Sequence, residues 1–174
     1  NLEMVILALS MYQKPDGGFG NNLNVDNYNP NSTIINTSMA LNKIYSSGIR
    51  SKFSDSYFKE MLNQAYSYLF STGEFKDFIW APVCKENNLH PCAEWLKYNE
   101  TNLNSHPYYP TAELIGYGIA LLDKDSNFYN KCRSMVNKAL TDYLELKTVT
   151  HKTISSFNIL LDCIKDEAEF QTLT

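Results

Sequence analysis

A glycine-rich turn directly after a helical pattern is the feature that most restricts how this chain can fold. The apolar residues before the turn recur on one helix face: Leu2, Val5, Ile6 and Leu9. The turn itself reads Gln13-Lys14-Pro15-Asp16-Gly17-Gly18-Phe19-Gly20. Pro15 cannot donate a backbone hydrogen bond and ends the helix, while the glycines adopt backbone angles closed to other residues. Gln13 can hydrogen-bond groups left free at the helix end, and Phe19 can pack over the turn. An ordinary surface turn is the plain alternative.

Gln13, Asp16, Gly17 and Phe19 resemble the repeat motif of the squalene cyclase and protein prenyltransferase superfamily. In that motif a glutamine is followed by a spacer, a glycine, any residue and a tryptophan, whose position Phe19 takes here. The resemblance implies an α/α toroid, in which helical hairpins surround a central cavity. The next segment, residues 31–41, is similar to the inner helix that follows this turn in the superfamily. Residues 87–95 and 105–113 resemble a segment of uncharacterised bacterial members of this superfamily.

The length and composition of the chain fit one ordinary domain. A chain of 174 residues buries roughly 70% of its unfolded surface. A net charge of −4 and the absence of a long basic run argue against nucleic-acid binding. No apolar run reaches the roughly 20 residues of a membrane span, and no secretory signal opens the sequence. We therefore expect a cytoplasmic protein with reduced cysteines. We expect residues 1–174 to be a single domain and an incomplete toroid, finished by further repeats or by self-association.

The periodicity of apolar residues predicts an all-α fold with six helices and no clear strand. The first helix ends near Tyr12, and the others span about 32–47, 55–71, 110–122, 126–146 and 150–170. The helices at 32–47 and 110–122 carry apolar residues on more than one face, as inner helices do. Those at 55–71 and 126–146 have a single apolar stripe, as outer helices do. Helical hairpins of this kind predict part of an α/α toroid, with an open solenoid or a compact bundle as alternatives.

The segment 72–109 is predicted to be irregular, and a loop of that length in an ordered domain is typically functional. This segment and the helix after it supply the candidate site: His90, Glu94, Trp95, His106, Tyr109, Glu113 and Tyr117. The histidines and carboxylates could act as acid, base or ligand, and the aromatic side chains could form the wall of an apolar cavity. The alternative is that the histidines brace the loop and the aromatic rings fill the core.

The chemical motifs that would specify an activity are missing. Cys84, His90, Cys92 and His106 could in principle bind zinc, but their spacing matches no familiar zinc site, so neither metal nor cofactor is predicted. The Asp-x-Asp-Asp acid of the squalene cyclases is absent from the sequence. We therefore predict a non-catalytic binding or scaffold module, whose partner would be an apolar small molecule. The alternative is an enzyme that acts on an isoprenoid-like apolar substrate, as the prenyltransferases and terpene cyclases do.

Overall fold

The computed structural model describes residues 2–48 and 56–170, and this part of the chain is mainly helical. It contains α1 (Leu2–Ser10), α2 (Ile34–Ser46), α3 (Ser56–Ser71), α4 (Glu100–Asn104), α5 (Thr111–Leu121), α6 (Asn127–Glu145) and α7 (His151–Ile164), with one hairpin of β1 (Phe75–Lys76) and β2 (Ile79–Trp80). The predicted all-α class is confirmed. Across these described ranges, no helix has the length and apolar character needed to cross a membrane.

Three of the longer helices begin at side-chain caps. Thr33, Ser126 and Thr150 precede α2, α6 and α7, and each side-chain oxygen accepts the backbone N–H three residues further on. Such a cap satisfies a donor that the helix leaves free and stabilises it by about 1 kcal/mol. The predicted starts of these helices agree with the observed ones to within two residues.

Helix α5 lies at the centre of the fold. Nine of its eleven residues are buried, and it packs against α2, α6 and α7, while α3 packs against α6. A Cβ atom on Gly116 would lie 3.0 Å from the Cα atom of Leu160 in α7. One on Gly118 would lie 2.4 Å from the sulfur of Cys132 in α6. Both glycines therefore permit close helix contact.

The glycine-rich turn binds α1 to α3. The Gln13 Nε2 atom donates to the Gly17 carbonyl oxygen and to the Met61 carbonyl oxygen of α3, each at 2.9 Å. Gly17 has a φ of +90°, and a Cβ atom there would lie 2.2 Å from the Gln64 carbonyl oxygen. Gln13 thus links the turn to α3 through these two hydrogen bonds.

The same turn also binds α2. Phe19 is fully buried, and its backbone N–H donates to the Thr37 hydroxyl at 3.1 Å. The Asp16 carboxylate accepts the Gly18 N–H at 3.0 Å and the Ser32 hydroxyl at 2.6 Å. All four residues of the repeat-like motif therefore help to link the end of α1 to the start of α2 and to the middle of α3.

The segment 72–109 is more ordered than predicted. It contains the β1–β2 hairpin, α4 and two 3₁₀ turns, at Lys85–Leu89 and Glu94–Leu96. Strands of two residues are too short to show the alternation by which a strand is recognised, so the prediction of no strand was wrong here. Trp80 belongs to the core, where its indole N–H donates to the Leu69 carbonyl at 2.7 Å.

Helix ends differ from their predicted positions by more than helix starts do. Helix α1 ends at Ser10, and α5 begins at Thr111, after Pro110. Helix α7 ends at Ile164 instead of continuing to 170, and a separate 3₁₀ turn follows at Ala168–Phe170. The predicted start of the third helix, at residue 55, lies outside the described residues.

Candidate functional site

A cleft of about 220 Å³ opens between α2, α5 and α7. One part of its wall is apolar and the other carries hydroxyl, amide, carboxyl and ammonium groups. The lining residues are Ile35, Ser38, Met39, Asn42, Lys43, Tyr109, Glu113, Ser155 and Ile159. Two of the seven predicted site residues, Tyr109 and Glu113, therefore line one cavity.

Two hydrogen bonds join α2 to α5 beside this cleft. The Ser38 hydroxyl donates to the Glu113 carboxylate, and the Asn42 amide donates to the Tyr117 hydroxyl at 2.5 Å. Ser38 and Asn42 are four positions apart on α2, as Glu113 and Tyr117 are on α5. The two hydrogen bonds therefore connect one turn of α2 to one turn of α5. The predicted residue Tyr117 is fully buried at the second of these contacts.

Glu113 has the most perturbed carboxyl group near the cleft. Burial raises its pKa to about 7, against the opposing effects of the Ser38 hydrogen bond and the charge of Lys152. The backbone N–H of Glu113 donates to the Ser156 hydroxyl at 3.0 Å, which fixes the first turn of α5 against α7. Within residues 2–48 and 56–170, no ammonium or guanidinium group forms an ion pair with Glu113. At neutral pH this carboxyl group is therefore divided between its acid and its anion.

Lys152 lies between two aromatic rings at the edge of the cleft. Its Nζ atom is 3.8 Å from the centroid of the Trp95 ring and 5.0 Å from that of Tyr109. Burial lowers the pKa of Lys152, and the nearby Glu113 opposes that shift. Burial also raises the pKa of Tyr109 above its ordinary value, as does the charge of Glu113. The rings therefore hold an ammonium group through cation–π attraction beside a titrating carboxyl group.

His106 braces the loop before α5. Its Nδ1 atom lies 3.0 Å from the hydroxyl of Thr150, the cap of α7, and its ring meets that of Tyr109 edge-on at 6.1 Å. Burial, followed by the charge of Lys152, lowers the pKa of His106. An imidazole ring held between Thr150 and Tyr109 agrees with the bracing alternative.

His90 and Glu94 do not line this cleft. The exposed Glu94 pairs with Lys97, with 2.9 Å between its Oε2 atom and the lysine Nζ atom. His90 is half-buried at the end of the first 3₁₀ turn, where its backbone N–H donates to the Asn87 carbonyl at 3.3 Å. Five of the seven candidates are connected to one another through the cleft or through Lys152: Trp95, His106, Tyr109, Glu113 and Tyr117.

Cys84 and His106, two of the four residues considered for a zinc site, have other neighbours in the structure. The Cys84 sulfur lies 3.8 Å from the Asn29 amide nitrogen and 3.3 Å from the Asn87 side-chain oxygen, and burial raises its pKa to about 12. His106 contacts Thr150 instead. Nowhere in the described ranges do three histidine, cysteine, aspartate or glutamate side chains come together in a way that could hold a metal.

A buried group of asparagines was not identified from the sequence. Asn27 and Asn29 both donate to the side-chain oxygen of Asn87, at 3.2 and 3.0 Å, and Asn87 donates to the Leu96 carbonyl at 2.8 Å. The Asn27 and Asn29 oxygens also accept the N–H two residues further on, which is the Asx-turn geometry. These asparagines thus tie residues 24–31 to the segment before α5.

Sequence reasoning also missed three polar residues of the site, Ser38, Asn42 and Lys152. A signal for two of them exists, because Ser38 and Asn42 are polar at a four-residue spacing on a helix with apolar residues on several faces. Glu113 and Tyr117 have the same spacing on α5. No sequence signal indicates that Lys152 contacts Trp95.

The chain matches no protein-family model, no curated protein and no solved structure. Its resemblance to the squalene cyclase and prenyltransferase superfamily stays a prediction.

Proposed function

We propose that this protein is a non-catalytic binding module and that the cleft between α2, α5 and α7 holds its ligand. The carboxyl group of Glu113 carries the proposal. A largely buried carboxyl without an ion pair costs stability, and among the described residues only the Ser38 hydroxyl bonds to it, with the charge of Lys152 acting from a distance. A binding module explains such a group, since a ligand can supply the second partner.

The shape of the cleft limits the ligand to a small group with an apolar side. Ile35, Met39 and Ile159 supply apolar wall, and Glu113 and Tyr109 supply the polar end. The volume of about 220 Å³ is below the roughly 300–1,000 Å³ of pockets that take drug-sized molecules. A small amphipathic molecule, or one side chain of a larger partner, fits this description.

The helix contacts also support the proposal that the chain forms an arc of an α/α toroid. Helix α2 packs on α5 and α5 on α7, as neighbours in an inner row would. Helices α3 and α6 pack on each other, as neighbours in an outer row would. The cleft then lies among the inner helices, where a toroid has its cavity. A complete ring would need further repeats or a second copy of the chain.

An enzyme that acts on an isoprenoid-like substrate is the second candidate. One observation favours it, because the pKa of about 7 at Glu113 suits an acid or base at neutral pH. The small volume of the cleft favours the binding module instead.

A pair of tryptophan substitutions on α7 tests cleft binding. Ser155 is exposed and lines the cleft, so Ser155→Trp fills it without disturbing the core. Asn158 is exposed on the same helix outside the cleft, so Asn158→Trp is the matched control. We expect benzyl alcohol and n-hexanol to shift the amide NMR signals of cleft residues in the wild type and in the control, but not in Ser155→Trp. Equal shifts in all three proteins, or none in any, would contradict the proposal.

A further inference from the structure

The strongest indication of what the cleft binds is the side chain that already lies at its edge. Lys152 places its ammonium group 3.8 Å from the Trp95 ring centroid, within the distance at which a cation is attracted to a ring face. A second ring, Tyr109, lies 5.0 Å away and also lines the cleft. Two rings around one cation are the arrangement by which proteins recognise organic ammonium ligands.

The third component of such a site is an acid, and Glu113 supplies it. Glu113 and Tyr109 line the same cleft, and the charge of Lys152 acts on Glu113. Lys152 forms no ion pair with this carboxyl group, because its Nζ atom lies against the rings. Tyr109 and Glu113 therefore line one cleft, and Lys152 connects them to the Trp95 ring, with its ammonium group against the rings instead of in an ion pair with Glu113.

We propose that Trp95, Tyr109 and Glu113 form a binding site for an alkylammonium group, which Lys152 occupies in the absence of ligand. The ligand ammonium would replace that of Lys152 at the rings and pair with Glu113, and its alkyl stem would lie on Ile159 and Met39. This inference rests on the proposed function of the cleft and names its ligand class. Lys152 is half-buried and Trp95 is 39% exposed, so the lysine can leave the rings for water.

The other charged and titratable groups around the site determine how pH acts on it. Lys43 of α2 lines the cleft, Tyr117 follows Glu113 on α5, and His106 lies before α5. Lys43 and Lys152 both oppose a cationic ligand, and ionised Glu113 attracts it. Affinity for an ammonium ligand should therefore rise with pH as Glu113 loses its proton.

The test compares n-butylammonium with n-butanol, a neutral molecule of the same heavy-atom count. Lys152→Met removes the charge and keeps an unbranched stem, so it should open the site. Lys97→Met is the matched control, because Lys97 is exposed and pairs with Glu94 away from the cleft. Binding is followed by the NMR signal of the Trp95 indole N–H, and thermal unfolding checks that each variant folds.

We expect Lys152→Met to bind n-butylammonium about tenfold more tightly than the wild type and the Lys97→Met control do. Affinity for n-butanol should be equal in all three proteins. In the wild type, the ring current of Trp95 should shift the Lys152 ε-methylene protons upfield, and n-butylammonium should abolish that shift.

Two results would overturn the inference, and they bear differently on the proposed function. If n-butanol and n-butylammonium bind equally in every variant, the cleft is a binding site without preference for an ammonium group. If n-butylammonium binds no variant, the ammonium site does not exist. The proposed function is then decided by the neutral probes and the Ser155→Trp variant.

Discussion

The glycine-rich turn and the α2–α5–α7 cleft both enclose polar side chains, but the fold uses those side chains differently. In the turn, Gln13 reaches two carbonyl groups, and Asp16 accepts two donors. In the cleft, Glu113 receives one side-chain hydrogen bond and no ion pair within the described residues, and its pKa is about 7. Polar groups that the fold fully satisfies stabilise structure, whereas a group left with spare bonding capacity is available to a ligand.

Of the substitutions that test this comparison, Gly17→Ala is expected to have the largest effect on stability. Gly17→Ala should lower the free energy of unfolding by about 3 kcal/mol, because the positive φ and the Gln64 carbonyl both exclude a Cβ atom. Gly73→Ala is the control, since nothing lies within 4 Å of a Cβ atom there. Urea denaturation of the two variants measures the difference. Equal losses would show that the turn does not hold the helices as described.

The buried asparagines should give the next largest effect. Asn87→Ala should cost about 2.5 kcal/mol, because it leaves two buried amide donors and one carbonyl without their partner. Asn137→Ala, on the exposed face of α6, should stay within about 0.5 kcal/mol of the wild type. Urea denaturation again supplies the free energies. A loss for Asn87→Ala no larger than that for Asn137→Ala would contradict the network.

The pH dependence of stability should distinguish the cleft from the turn. The folded-state pKa of Glu113 lies above its unfolded value of 4.5, so its contribution to stability is complete below pH 4.5 and is lost as pH rises through about 7. Glu113→Gln stays neutral and should remove this dependence. Between pH 5 and pH 8 the wild type should lose about 2 kcal/mol more than this variant.

The control for this prediction is a carboxylate outside the cleft. Glu94 is exposed and pairs with Lys97, so Glu94→Gln should keep the pH dependence of the wild type. Parallel stability curves for the wild type and Glu113→Gln would show that Glu113 titrates normally.

The smallest effect is expected at the histidine outside the site. His90→Ala should change the free energy of unfolding by no more than about 0.5 kcal/mol, since the ring is half-buried and away from the cleft. His106→Ala should cost about 1 kcal/mol, because it removes the contact with Thr150. Thermal unfolding of both variants measures these losses. A larger loss for His90→Ala than for His106→Ala would show that His90 is the bracing histidine.

Local interactions made much of the fold predictable from the sequence. The caps at Thr33, Ser126 and Thr150 act over three residues, and Gly48, with a φ of +80°, follows the C-cap residue of α2. Short strands and the end of α7 were not predictable in this way, because tertiary contacts determine where such elements stop.

The candidate site was only partly predictable because its contacts join distant parts of the chain. Ser38 and Glu113 are 75 residues apart, as are Asn42 and Tyr117, and Asn27 lies 60 residues from Asn87. Glu113 and Tyr109 could be chosen by residue type and position. The contact of Lys152 with Trp95 follows only from how α7 packs against the segment before α5.

The most direct test of the account is the titration of Glu113 itself. With ¹³C-labelled glutamate, the side-chain carboxyl signal that disappears in Glu113→Gln identifies the group and reports its ionisation. We predict a midpoint near pH 7, which n-butylammonium should lower in Lys152→Met because the cation stabilises the carboxylate. A midpoint near 4.5, unchanged by the amine, would show an ordinary solvated carboxylate and would contradict the binding cleft.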